Sequence, residues 1–122
     1  MRLFKTKWFA RYARHEKITD TSLREAVARA ERGLVDADLG GGVIKQRVAR
    51  TGKGRSGGYR VLIAFRAAER SVFLFGFAKN QRDNIDADEL TTLKEIAVVW
   101  LMADIAKIER AVAEGVLVEV KL

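Results

Sequence analysis

Val43 to Asn80 reads VIKQRVARTGKGRSGGYRVLIAFRAAERSVFLFGFAKN. Within it, Val61, Ile63 and Phe65 alternate with Arg60, Leu62 and Ala64, the period-two pattern of a strand. The short link Ala67 to Arg70 turns the chain into a second apolar run, Val72 to Ala78, so the two form a hairpin. VIKQRVA adds a strand before them, and the glycine-rich RTGKGRSGG separates it from the hairpin. A strand, a glycine loop and a hairpin therefore place a sheet at the centre of the fold.

Helical patterns flank this sheet on both sides. Phe4 and Lys5 begin a short strand, followed by an aromatic-rich helix over Trp8, Phe9 and Tyr12. After a turn at Lys17 to Asp20, Leu23, Ala26, Val27, Ala30 and Leu34 recur at the spacing of a buried helical stripe. Ser22 and Glu25 have capping-box spacing, with Asp20 a competing N-cap. Gly40, Gly41 and Gly42 end this helical region. Beyond the sheet, Asp86 and Glu89 have N-cap and N3 character, with Asp88 adding charge at the positive end of the dipole. Leu90, Leu93, Ile96, Ala97, Trp100, Leu101, Ile105 and Ile108 carry a stripe almost to Gly115. Unbroken, that helix would be about 40 Å long at 1.5 Å per residue, which demands a break near Met102 to Asp104 or a projecting end. The tail VLVEVKL alternates as a last strand. The fold class expected is α+β.

The 122 residues fit one domain, 1–122, large enough to bury a core without staples. A 48% apolar and 32% charged composition suits a soluble globular protein. There is no cysteine, which excludes disulfides and cysteine-ligated zinc. MRLFKTKWFARYARHEK lacks the apolar core of a secretory signal. No stretch approaches the ~20 apolar residues of a bilayer span. A cytoplasmic location without membrane contact is expected.

Charge is the strongest functional signal. Residues 41–82 carry ten Lys or Arg and one acid, Glu69, whereas the whole chain nets only +7. A positive field concentrated on one sheet is the footprint of a surface that meets phosphates. Alternation puts Lys45 and Arg47 on one face of their strand, away from Ile44 and Val48. Arg60 and Arg66 share a face but lie roughly 20 Å apart at ~3.3 Å per residue. The TGKGRSGG loop fails as a P-loop, because the Walker pattern leads into a helix and here a strand follows at Tyr59. Any one of these cations reads best as a solvated strand residue. Ten of them with one acid lack local partners, so the cluster reads as functional. Phe73, Phe75 and Phe77 fall on one face, with Lys79 following by parity. The first two read as core and Phe77 as a surface for base stacking. His15, the only histidine, reads as a surface residue. Asp83, Asp86, Asp88 and Glu89 are accounted for by a helix start, and neither a metal site nor a cofactor is expected.

LGGGVIKQRVARTGKGRSGGYRVLIAF, the hairpin ending in FGFAKN and the helix after it resemble the RelE/HigB group of toxins from type II toxin–antitoxin modules, within the RelE/ParE superfamily. The resemblance covers a core of about residues 4–101, is most specific over Gly41 to Asn80, and leaves the extension 102–122 unmapped. It implies a small domain with two N-terminal helices on an antiparallel sheet of about four strands, here with a C-terminal helix and terminal strand added. It also implies a metal-independent, cofactor-free endoribonuclease that cuts mRNA in the ribosomal A site. A cognate antitoxin, expected to be of helix-turn-helix type, would inhibit it. Carried onto this chain, the family's functional bases fall on Lys45, Arg47, Lys53, Arg55, Arg60 and Lys79. Lys45 is expected as the base candidate, Arg47 and Arg60 as phosphate clamps, and Lys79 as a further catalytic cation. Lys53 and Arg55, with Arg50, Arg66 and Phe77, are expected to bind RNA. Where the family carries an arginine and a tyrosine after the last strand, this chain offers Asn80 and Asp86. A ParE-like gyrase poison and a non-catalytic nucleic-acid-binding domain are the alternatives, and the density of bases favours the nuclease.

Overall fold

The computed structural model describes residues 1–50 and 54–121, with 54–56 described in the backbone only. In chain order the elements are β1 (Arg2–Thr6), α1 (Lys7–Glu16), α2 (Asp20–Glu31), β2 (Ala37–Gly40) and β3 (Val43–Arg50). They continue with β4 (Gly54–Arg66), β5 (Arg70–Ala78), α3 (Ala87–Met102), α4 (Ile105–Ala113) and β6 (Leu117–Glu119). The fold is α+β, as expected. The sheet has six strands rather than about four, in the order β2-β3-β4-β5-β1-β6. β1 runs parallel to β5, and the other neighbouring pairs are antiparallel.

Both faces of the sheet are covered, by different helices. Phe9, Leu23, Ala26 and Val27 of α1 and α2 pack on Ile44, Val48, Tyr59, Val61, Ile63 and Phe73. Leu93, Ala97, Leu101 and Ile108 of α3 and α4 pack on Val43, Leu62, Ala64, Leu74 and Phe77. The alternation of β4 is thus a division between two cores. Three aromatics on β5 depart from simple alternation. Leu62 pairs with Phe75 while Ile63 pairs with Phe73, so Leu74 is the extra residue of a bulge. The bulge reverses parity: Phe73 faces α1 and α2, while Phe75 and Phe77 face α3, so the three do not share a face.

Local signals set most boundaries. The first cap of α2 is Thr19, whose hydroxyl accepts from Ser22 N, and Asp20 is the first helical residue instead of the N-cap. Gly40 closes β2, and Gly41 and Gly42 turn the chain into β3, with φ of 63° and 82°. The triplet therefore makes a hairpin between two strands, and the helix has already ended nine residues earlier at Glu31. The capping box of Asp86 and Glu89 is present at α3. The long C-terminal stripe breaks at Ala103, which is extended, and Asp104 caps α4 by accepting from Lys107 N at 2.8 Å. Arg70 stabilises the break: its Nη1 donates to the carbonyls of Trp100 (2.7 Å) and Ala103 (2.9 Å), which the helix end leaves unpaired. After the break, β6 pairs with β1, and Arg2 holds Glu109 at 2.6 Å and Glu119 at 2.8 Å. Among the described residues no helix is long and apolar enough to cross a membrane.

Gly58 marks a close approach of β4 to β3 beside a register shift between Val48 and Arg50. A Cβ there would lie 2.2 Å from the Val48 carbonyl oxygen and 2.8 Å from Arg50 N. Those are backbone atoms, which cannot swing aside. Gly58→Ala is expected to cost about 1–3 kcal/mol of stability, read as a lower urea midpoint at an unchanged slope.

Candidate nucleic-acid interface

One row of the sheet gathers the sequence-predicted cations. Arg47 on β3 lies directly opposite Arg60 on β4, and Arg60 lies opposite Phe77 on β5. Directly opposed residues stand about 4.5–5.5 Å apart, so the two guanidinium groups leave the backbone side by side. All three point to the α3 face, since Arg60 has the parity of Leu62 and Ala64. Lys45, two residues before Arg47, is a diagonal neighbour of Arg60 on that face. Lys79 follows Phe77 by parity, and its N–H continues the ladder by donating to Gly58 O at 3.0 Å. α3 covers the rows of Leu62 and Ala64 and leaves this end of the face open. Lys45, Arg47, Arg60 and Lys79 are therefore brought together.

The remaining candidates are placed elsewhere. Arg50 lies over the Tyr59 ring at 5.7 Å, on the α1/α2 side of the sheet. Arg66 is at the far end of β4, paired with Glu69 at 3.3 Å and touching Met102 Sδ at 3.8 Å. Phe77 shares the row, but it is only 4% exposed and Arg82 stands over its ring at 5.4 Å. It has no open face on which a base could stack. Lys53 and the side chain of Arg55 lie outside the described residues. Arg82 went unnoticed in the sequence because a loop position carries no period. The sequence reading set Asn80 at the place after β5, and Arg82 lies two residues beyond it.

The cations have acid partners, contrary to the expectation from the 41–82 block. Those acids come from outside the block or its edge. Asp36 bonds Arg47 Nη2 at 3.0 Å and Asp83 bonds Lys79 Nζ at 3.1 Å. Glu89 holds Arg82 through two hydrogen bonds, at 2.5 and 3.1 Å. Lys45 Nζ donates to the neutral amide oxygen of Asn84 at 3.3 Å. Glu89 is held down at about 2 by its bonds from Arg82 and from Asp86 N. The partial burial of Arg60 lowers its affinity for its proton, and the charge of Arg47 beside it acts in the same direction. Arginine remains charged at any physiological pH even so.

A buried polar network beneath the row sets the position of Arg47. Gln46 is fully buried; its Nε2 donates to Ala26 O (2.9 Å) and Leu34 O (3.2 Å), and its Oε1 accepts from Asp36 N (2.7 Å). Asp36 is thereby fixed where its carboxylate accepts from Arg47 N at 2.7 Å as well as from the side chain. Arg29, only 5% exposed, bonds Glu25 at 2.8 Å and reaches Asp36 at 3.5 Å and the Arg47 carbonyl. Sequence reasoning passed over Gln46, Asp36 and Arg29. A glutamine between Lys45 and Arg47 on an otherwise apolar inner face was the one signal.

The whole architecture has a counterpart among known proteins. A family model described as "RelE toxin of RelE / RelB toxin-antitoxin system" matches residues 1–120. The chain belongs to the RelE toxin family. It is thus the toxin of a toxin–antitoxin module, and a cognate antitoxin is its implied partner. The match extends through α4 and β6, the part that the sequence resemblance left unmapped. No curated protein matches the chain closely enough to add a named relative.

Asp36 gives a pH test of this RelE toxin's interface. Burial pushes its carboxyl up, but the hydrogen bonds from Arg47 and the charges of Arg47 and Arg29 outweigh burial and hold it below the usual carboxylate range. The stabilisation is present above the unfolded-state value near 3.9 and is lost as pH falls toward and through the lowered folded value. Asp36→Asn should lower stability at pH 7 by about 1–3 kcal/mol. It should also flatten the loss below about pH 4, as urea unfolding across pH will show.

Proposed function

We propose that this toxin is an endoribonuclease that cuts messenger RNA held in the ribosomal A site. The observation that carries the proposal is the Arg47–Arg60 pair on one open face, with Lys45 diagonal to it and Lys79 at the strand end. The reaction that suits the face is transesterification by the neighbouring ribose. The 2′-oxygen loses its proton and forms a bond to phosphorus, and the bond from phosphorus to the 5′-oxygen then breaks. The departing oxygen takes up a proton, leaving a 2′,3′-cyclic phosphate. Between these steps the phosphorane carries extra negative charge. Arg47 and Arg60 are the clamps for that charge; donors aimed at developing charge lower barriers by a few kcal/mol each.

Lys45 is the base in this scheme, and Lys79 is the ammonium that protonates the leaving oxygen. Lys45 is bonded to a neutral amide oxygen and not to a carboxylate, so the uncharged amine that a base requires breaks no ion pair there. An ordinary lysine is a poor base at neutral pH, and no histidine stands on this face. Such modest proton-transfer groups make free RNA a bad substrate. The ribosome supplies alignment, which can be worth many powers of ten. Arg82, half-exposed beside Phe77 and held by Glu89, adds a guanidinium plane on which a base or a phosphate can rest. Lys53 and Arg55 remain, on the resemblance alone, the candidates for RNA-backbone contact. Arg50 and Arg66 lie outside the clamp.

Arg60→Ala is expected to abolish growth arrest on induction and to reduce cleavage about 10²–10³-fold, while circular dichroism and melting stay those of the wild type. A fully toxic Arg60→Ala removes it from the site. Mapping of transcript 5′ ends after induction checks the class of activity. Codon-linked cuts support the nuclease, whereas uncut transcripts with blocked supercoiling indicate a gyrase poison, and neither effect indicates plain binding.

A further inference from the structure

The second half of α3, Ile96 to Met102, reads IAVVWLM and is apolar all round. Such a helix is ordinarily covered on every side. Here the sheet takes Ala97 and Leu101, while Val98, Val99 and Met102 remain 52%, 45% and 72% exposed. Ile105, just past the break in the helix, is 61% exposed. The break turns this surface into a shallow notch of about 380 Å³, lined by Val98, Val99 and Met102 of α3 and by Asp104, Lys107 and Arg110 at α4. An apolar patch with a polar rim marks an interaction site. The charges of the rim are unmatched. Asp104 caps α4 with its carboxylate but meets no cation, and among the described residues neither Lys107 nor Arg110 has a carboxylate within ion-pair distance. Lys107 rests on the Trp100 ring instead, at 5.8 Å.

We propose that this notch joins two copies of the toxin in a two-fold homodimer, with Met102 of each copy seated in the notch of the other and Asp104 of each facing Lys107 and Arg110 of the other. Self-complementarity selects a second copy as the occupant. An isologous contact requires one patch to hold both halves of every interaction, because residue i meets j wherever j meets i. The notch meets that requirement. It has a hollow and, on its lining, an exposed flexible side chain to fill one. It also has an acid and two bases that do not meet within the chain. A lipid surface or a uniformly acidic partner would match the bases and leave Asp104 against like charge. Position favours the same occupant. α3 is 16 residues long, about 24 Å at 1.5 Å per residue, and its first turn adjoins the cationic row, where Glu89 holds Arg82. The notch is at its other end, more than one Debye length of about 8–10 Å away. The repulsion between two rows is therefore largely screened, and Arg47 and Arg60 of both copies stay open. Neither row takes part, so the dimer is independent of what the rows do to RNA.

Sedimentation equilibrium of the purified full-length toxin tests the dimer. Over loading concentrations of about 1 to 200 µM, the span in which a dimer of modest affinity dissociates, the apparent mass should rise from 13.7 kDa and level off at twice that value. Met102→Arg and Val99→Arg are expected to weaken association by about tenfold or more, with Val118→Arg, an exposed apolar site on β6, within about twofold of wild type. Asp104→Ser keeps a capping hydroxyl for α4 while removing the charge. It and Arg110→Glu should each weaken association severalfold, and by less at high salt. All of these variants should keep wild-type melting, which monitors the fold. A toxin that stays at 13.7 kDa throughout overturns the proposal. So does a mass that climbs past twice that value, since an isologous contact closes at two copies. Wild-type association in both Met102→Arg and Val99→Arg overturns it as well, and a loss confined to Val118→Arg does so in favour of strand pairing at β6. Dissociation by the apolar variants alone, with Asp104→Ser and Arg110→Glu as wild type, refutes the reciprocal charge pairing and with it the two-fold arrangement.

Discussion

β4 is longer than the helix that covers it. Its 13 residues extend roughly 43 Å at 3.3 Å each, and α3 covers the rows of Leu62 and Ala64. In the next row toward the hairpin tip, Phe77 is still buried in this core, while Arg47 is exposed and Arg60 half-buried at its margin. On the reverse face α1 and α2 extend further, burying Val48, Tyr59 and Val61. The same strand end is therefore dry behind and wet in front. Cations displayed on such a backing have their main-chain positions fixed by ladder hydrogen bonds and a packed core, which is the support that a phosphate clamp needs.

The open face is not bare charge. Asp36, Asp83 and Glu89 bring carboxylates to Arg47, Lys79 and Arg82. A carboxylate presents two oxygens much as a phosphate does, and arginine binds both in the same bidentate manner. In the proposed ribonuclease, an RNA phosphate would exchange with an internal anion instead of filling an empty site. That exchange reduces the net gain from any single phosphate. It accords with a face that works on a strand already held in place by a larger assembly and has little grip on loose RNA.

The sheet was legible in the sequence because Tyr59 to Phe65 is an extended run rich in β-branched and aromatic residues, and α3 because its capping box is complete. Burial on two sides explains why apolar residues also occupy both parities of β4. What escaped notice depends on long-range pairing. No local pattern announces that Leu74 is a bulge residue, and a single extra residue reverses the direction of Phe75 and Phe77. β2 lacks a strand signature because it is four residues long, with an acid and a glycine. The cations were identified by composition, but composition counts charge along the chain and is blind to partners across it. Asp36 lies 11 residues before Arg47 and outside the basic block, yet forms its closest ion pair. Gln46, a buried polar residue between Ile44 and Val48 on the inner face of β3, was the trace left by that network.

The placement of β1 has a consequence for how the molecule comes into being. It lies between β5 and β6, paired with residues 70–73 on one side and 117–119 on the other. β1 precedes both of its neighbours by most of the domain's length, so its two pairings close long loops. Contacts separated by so much chain also form slowly. The seal of the sheet's far side therefore depends on pairing between the two ends of the described chain, while the cationic row on β3, β4 and β5 is built from local hairpins.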